Sequence, residues 1–187
     1  MSGHGHIEGS NKKIALLIAV LALCLAIAET FAKSAQTDSI GRNVEASNLW
    51  AFFQAKTVRQ TAVRTAAEQA ELERGRTTEP GQLDAIAKRI EGWNRTVARW
   101  ESEPETNEGR KELVTRAKAA ETQRDTALAK YHHFEIASAA FQIAIVLASA
   151  TVITGATLLA WAAGGLGLVG LVLVGIGLWA PHAVHLV

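Results

Sequence analysis

Two long apolar stretches flank a polar middle. Ile14 to Ala28 is unbroken apolar sequence, followed by Glu29 and Lys33. Along a helix, Lys13 and Lys33 lie about 30 Å apart, the thickness of a bilayer core. The second stretch, Ile136 to Pro181, has no Asp, Glu, Lys or Arg. As one helix it would measure about 69 Å, more than twice a bilayer core, so it must fold back once. Thr154-Gly155 and Gly164-Gly165 are the two places for the turn. Turning at Thr154-Gly155 puts Trp161 and Trp179 about 27 Å apart, each at one headgroup level. The pattern therefore predicts transmembrane helices over 12–33, 134–154 and 157–180, a disordered leader over 1–11 and a tail over 181–187. A cleaved signal peptide is the rival reading of the first stretch, with Lys12 and Lys13 as its basic region and Ala26-Ile27-Ala28 as its small-x-small site. The retained span is preferred because the helical pattern runs past Ala28 with no breaker before Gly41.

Nothing in the middle alternates with period two, and helices are expected over about 38–74, 82–102 and 106–133. The first has Ala51, Ala55, Val58, Ala62 and Ala66 on one face and an aromatic cluster at Trp50, Phe52 and Phe53. The second follows Pro80-Gly81 and ends before Pro104. Its Leu83, Ile86, Ile90, Trp93, Val97 and Trp100 recur at heptad spacing. The third carries Leu113, Ala117, Ala120, Ala127 and Tyr131, and its Glu112 and Arg116 are spaced for an i, i+4 pair. The ascent from Thr30 to Arg74 measures about 66 Å and the two returning helices together about 69 Å, so the arms match. Trp50 and Phe53 should then lie near Leu113 and Val114, with Trp93 and Trp100 against the alanines between Ala55 and Ala66. The fold class read from the pattern is all-α: an integral membrane protein with about three transmembrane helices and a long extramembrane antiparallel helical hairpin over 34–133.

Small residues predict how the spans pack. Ala137, Ala140, Ala144, Ala148, Thr151 and Gly155 recur at steps of three and four on one face, and Ala15, Ala19, Ala22 and Ala26 form a similar stripe. Such a face serves either an oligomer or the packing of three helices inside one protomer. A two-helix hairpin seamed with alanine is marginal alone. It gains from packing against copies of itself, and this nominates the span-two face with Trp93 and Trp100 as oligomer contacts.

Charge sharpens the picture. The net charge is +1, and acids and bases nearly balance through the middle, which excludes the cationic surplus a nucleic-acid binder needs. Cys24 is the single cysteine, so no intrachain disulfide forms. The densest chemistry is Tyr131-His132-His133-Phe134-Glu135, expected at the height of Glu29 and Lys33. His132 and Glu135 share a helix face at i, i+3, the spacing that presents two metal ligands or a proton-relay pair. His133 and Glu29 complete a set of weak metal candidates, against the plainer reading of boundary residues in which Lys33 neutralises Glu29. A third ligand must come from another helix or protomer. Gln142 is the only strongly polar group mid-span in the second transmembrane helix; it could bond across an oligomer axis, and a neighbouring carbonyl within the protomer is the preferred partner. There is no nucleophile triad, no phosphate-cradling glycine loop and no paired-cysteine zinc pattern, so neither catalytic residues nor a cofactor are assigned.

The order of features is itself distinctive: Lys12-Lys13 before Ile14 to Leu23, then Ala28-Glu29-Thr30, Lys33-Ser34-Ala35-Gln36-Thr37, Asn48-Leu49-Trp50-Ala51-Phe52-Phe53-Gln54-Ala55-Lys56 and Tyr131-His132-His133-Phe134-Glu135. Over nearly its whole length the chain resembles the bacterial membrane proteins catalogued as domain of unknown function 4337. The resemblance implies about three spans and a helical extramembrane region, and it transfers no activity. Thr154 to Leu158 lacks the basic turn that the family pattern carries between its last two spans. Lys12 and Lys13 on a short leader favour a cytoplasmic N-terminus and a periplasmic hairpin in the inner membrane, though Lys33 and Arg42 pull the other way. The expected function is a non-enzymatic, homo-oligomeric scaffold or interaction protein whose partners are the lipid bilayer and copies of itself. A channel or transport component gated near Glu29 and Glu135 is the alternative, and a metal-dependent membrane enzyme a more distant one.

Overall fold

Helices end where the backbone loses the means to continue them. Pro80 opens one at its first position, where a missing N–H costs nothing. Ser102, two residues before Pro104, closes it in extended conformation with its N–H on the Ala98 carbonyl at 3.3 Å. Gly155 takes φ 72°, a left-handed conformation that ends the next helix and reverses the chain. The computed structural model describes the backbone of residues 4–184 and the side chains of residues 12–184. Within those bounds it has four helices: α1 (His4–Arg74), α2 (Pro80–Glu101), α3 (Arg110–Thr154) and α4 (Thr157–Trp179). Three of them are long and apolar enough to cross a membrane by length and composition, α1 from Lys12 onward, α3 and α4. α1 begins at His4, so residues 4–11 of the expected leader are helical; residues 1–3, and residues 185–187 of the tail, lie outside the described residues. α3 starts at Arg110 instead of 106, because Asn107 adopts φ 56° in the connection before it.

The helices contribute to two units, a terminal one within residues 4–41 and 123–184 and a middle one over Arg42–Thr122. The core of the terminal unit joins Leu21 and Ala28 of α1, Ala137, Phe141, Ala144 and Ala148 of α3, and Ala163 of α4. α4 supplies close approach through glycine. A Cβ on Gly167 would fall 2.6 Å from Leu21 Cδ2, one on Gly170 2.8 Å from the Phe141 ring and one on Gly177 2.7 Å from the Phe134 ring. Bulky side chains of α1 and α3 thus enter gaps that only glycine leaves, which brings the backbones close together.

Two expectations about small residues change here. Ala137, Ala140, Ala144, Ala148 and Thr151 are buried inside the chain's own packing, so their face is not free for an oligomer, while Gly155 stands exposed at the turn. Conversely, Ala15, Ala19, Ala22 and Ala26 are exposed, and α1 turns Leu21 and Ala28 inward in their place. At Leu21 the physical reason is complementarity: Gly167 of α4 leaves a gap that a large side chain fills.

In the middle unit α3 runs antiparallel to α1. Trp50 Nε1 donates to Glu121 at 2.8 Å, and further along α1 Thr57 and Gln60 accept from Arg110 at 3.1 and 2.7 Å. α2 continues the same descent, its Val97 carbonyl accepting from Gln60 Nε2 at 3.1 Å. Ala46, Leu49, Leu113, Ala117 and Ala120 form the apolar core, with Trp50, Phe52 and Phe53 packed on it, as the matched lengths of the arms predict. The face that α1 buries differs from the expected alanine face. Ala51, Ala55, Val58 and Ala62 are exposed, and the inward heptad is Ala46, Leu49, Phe53, Lys56, Gln60, Val63, Ala67 and Ala70. Trp93 and Trp100 are half-buried, and the buried residues of α2 are Ile90 and Val97.

Candidate functional site

Polar residues recur at steps of four and three on two helices of the terminal unit. Glu29, Lys33 and Gln36 share one face of α1, and Tyr131, Glu135, Ser138 and Gln142 share one face of α3. The two faces meet along a cleft of about 410 Å³, with Ala32 and Ala139 as its apolar wall. Each carboxylate has one oxygen held by a neutral donor. Gln142 Nε2 donates to Glu29 Oε1 at 3.3 Å, and the Tyr131 hydroxyl donates to Glu135 Oε1 at 2.9 Å. His132 Nδ1 stands 3.8 Å from the other oxygen of Glu135. Ser138 turns its hydroxyl to the Phe134 carbonyl at 2.8 Å and offers no donor to the cleft.

Contacts with α4 fix the depth. Phe134 lies against Gly177 and Phe141 against Gly170. Gly170 is nine residues, about 13 Å, from both Trp161 and Trp179, which are 80% and 84% exposed. The cleft therefore descends from just inside the Trp179 level to the middle of α4. Gln142 and Glu29 bond at its lower end, beneath the level of the Tyr131–Glu135 pair.

The expected pairing of Glu29 with Lys33 is not among the described ion pairs. Gln142 takes the place of Lys33, which lines the cleft with its head uncommitted to that acid. The four metal candidates do not converge. Glu29 and Glu135 share the cleft, but His133 is 1% exposed and turned to the Pro181 carbonyl, with Nε2 3.1 Å from it. Among the described residues no group of three or more His, Cys, Asp or Glu is placed to hold a metal. The i, i+3 spacing of His132 and Glu135 does bring that pair together, and two ligands are too few.

The middle unit has a second polar cluster, which the sequence did not reveal. Arg110 donates to Glu101 at 2.7 Å as well as to Gln60 and Thr57, and its guanidinium lies 5.0 Å over the Phe53 ring. Lys56, 6% exposed, donates to the Glu108 carbonyl and lies 5.2 Å over the Phe52 ring. The hydrogen bond from Gln60, and then Arg110, holds the Glu101 carboxyl below its ordinary value. Glu112 is lowered likewise, first by the Ser102 hydroxyl at 2.7 Å and then by the Glu103 N–H at 3.1 Å. Glu112 thereby ties α3 to the end of α2, and its expected partner Arg116 reaches the Asn107 carbonyl at 3.1 Å. Each charge named here faces a partner, so the arrangement fixes the connection from α2 to α3. The signal in the sequence was the heptad through Leu49, Phe53, Lys56, Gln60 and Val63, hidden because two of its members are polar.

A family model described as domain of unknown function (DUF4337) matches residues 10–180. The chain belongs to this family. The match covers both units and all four helices, so the cleft and the Arg110 cluster lie inside the DUF4337 region. No curated protein and no solved structure matches the chain.

Proposed function

We propose that this DUF4337 member is a multi-pass protein of the bacterial inner membrane and works as a non-enzymatic, homo-oligomeric scaffold or interaction protein. Its middle unit stands outside the bilayer as an antiparallel hairpin, on the periplasmic side if Lys12 and Lys13 hold the N-terminus in the cytoplasm. The membrane reading draws support from three sufficiently long apolar helices and from the exposed Trp161 and Trp179 near the two ends of α4.

Self-association rests on one observation. On the side of α1 opposite its buried heptad runs a second heptad, with Val44, Ala51, Val58, Thr65 and Leu72 at one position and Asn48, Ala55, Ala62 and Gln69 at the other. All nine are exposed and none is charged, although charges surround them. Val58 and Leu72 are 69% and 65% exposed. An uncharged seam about 42 Å long that faces solvent on a polar helix is what a second copy of the same helix covers. The Ala-rich layers bury little area each, and length compensates.

The test is the mass of the detergent-extracted protein by light scattering. The wild type should be an oligomer, and Ala55→Glu with Val58→Glu should yield monomers of unchanged helicity, since both sites are exposed. A wild-type monomer overturns the scaffold. The channel reading has the charged cleft in its favour. It requires ion flux into protein-loaded vesicles that Glu29→Gln reduces.

A further inference from the structure

We propose that the cleft between α1 and α3 binds the primary ammonium head of an amphiphile, supplied by an aminophospholipid of the surrounding bilayer. The inference rests on the membrane reading above and is independent of self-association.

The charges in the cleft are Glu29, Glu135 and Lys33, a balance of one negative charge that favours a cationic guest. Each acid has one oxygen fixed by an uncharged donor, Gln142 or Tyr131, and these donors orient the carboxylates without neutralising them. Intramembrane carboxylates without a cationic partner are costly, and an ammonium that donates to both lowers that cost through charge-assisted hydrogen bonds. The spare oxygen of Glu135 has only His132, at 3.8 Å.

The guest's second property follows from what lies beside the acids. Ala139 lines the cleft, and Ile136 and Ile143, on adjoining positions of α3, are 40% and 54% exposed. The polar cleft thus opens onto an apolar helix surface, which fits a head carrying an alkyl tail better than a free amine. A primary ammonium offers three N–H donors, whereas a trimethylammonium offers none, so phosphatidylethanolamine should be held over phosphatidylcholine. Phosphatidylglycerol, with a net negative head, should be held least.

The experiment is native mass spectrometry of the full chain released from nanodiscs containing equal parts of the three lipids. The wild type should retain phosphatidylethanolamine about tenfold over either competitor, the ratio that charge-assisted contacts of this kind support. Glu29→Gln with Glu135→Gln should bring the three lipids to parity. Ala139→Trp fills the cleft while leaving both carboxylates in place, and should also abolish the preference, with helicity checked by circular dichroism. Equal retention by the wild type overturns the proposal, as does a preference that survives either variant. Displacement of the lipid by a modest excess of ethanolamine overturns the choice of a lipid over a free amine. Release of the protein from membranes by alkaline wash would overturn the membrane reading itself, a failure distinct from lipid parity in a protein that stays embedded.

Discussion

In the terminal unit the interior is made of what is missing: alanines on α3 and glycines on α4 open gaps that Leu21, Phe134 and Phe141 fill. In the middle unit the same helix α1 turns Lys56 and Gln60 inward, at 6% and 2% exposure, and surrounds them with partners. Helices in lipid gain little from hiding apolar surface and are held by close contact, so small residues and ring-sized knobs decide their packing. Helices in water gain from burial, and can enclose a charge when every polar atom of it is satisfied. On the proposed membrane placement, one helix obeys both rules along its length.

The sharpest break in that comparison is Gly170→Leu. A side chain there meets the Phe141 ring, so the terminal unit should lose about 3 kcal/mol, read as a lowered Tm in detergent. The same change at Gly164, where a Cβ meets nothing within 4 Å, should leave Tm unchanged. Next in size is Arg110→Met in the middle unit. It leaves the side-chain oxygen of the buried Gln60 without its donor and Glu101 with the Gln60 amide alone, and should cost about 2 kcal/mol in urea unfolding, less than a fully buried pair because the Arg110 side chain is 21% exposed.

The smallest effect is a difference in acid response. Glu101 and Glu112 have carboxyls lowered from 4.5 by bonds that exist only in the fold. A depressed carboxyl stabilises the folded state above its unfolded value, and that contribution is lost as pH falls through the folded value. The middle unit should therefore weaken below about pH 4.5, followed by the fluorescence of Trp50, Trp93 and Trp100. Glu101→Gln with Glu112→Gln should flatten that dependence, and a wild-type profile already flat would contradict it.

The helix ends at Pro80, Ser102 and Gly155 depend on local chemistry, since Pro80, Pro104 and Gly155 act on their own backbone wherever the chain goes, whereas the starts of α1 at His4 and of α3 at Arg110 were not legible. Much of the cleft was legible too, since the spacing on each helix groups its polar residues and the matched arms put Glu29 near Glu135. The partner of Glu29 was not. Lys33 is its neighbour along the helix, whereas Gln142 is 113 residues away and becomes adjacent only once α3 packs on α1.

The sequence by itself determined the all-helical class, the apolar helices and the places where the chain turns, because periodicity, proline and glycine act over a few residues. Which face of each helix is inside was decided by tertiary structure. α1 carries alanine stripes at Ala15 to Ala26 and Ala51 to Ala62, and both face outward, while the corresponding stripe of α3 faces inward. A stripe of small residues states that a backbone can come close. Whether one does depends on the shape across from it, and on α4 that shape is a row of glycines into which only larger side chains fit.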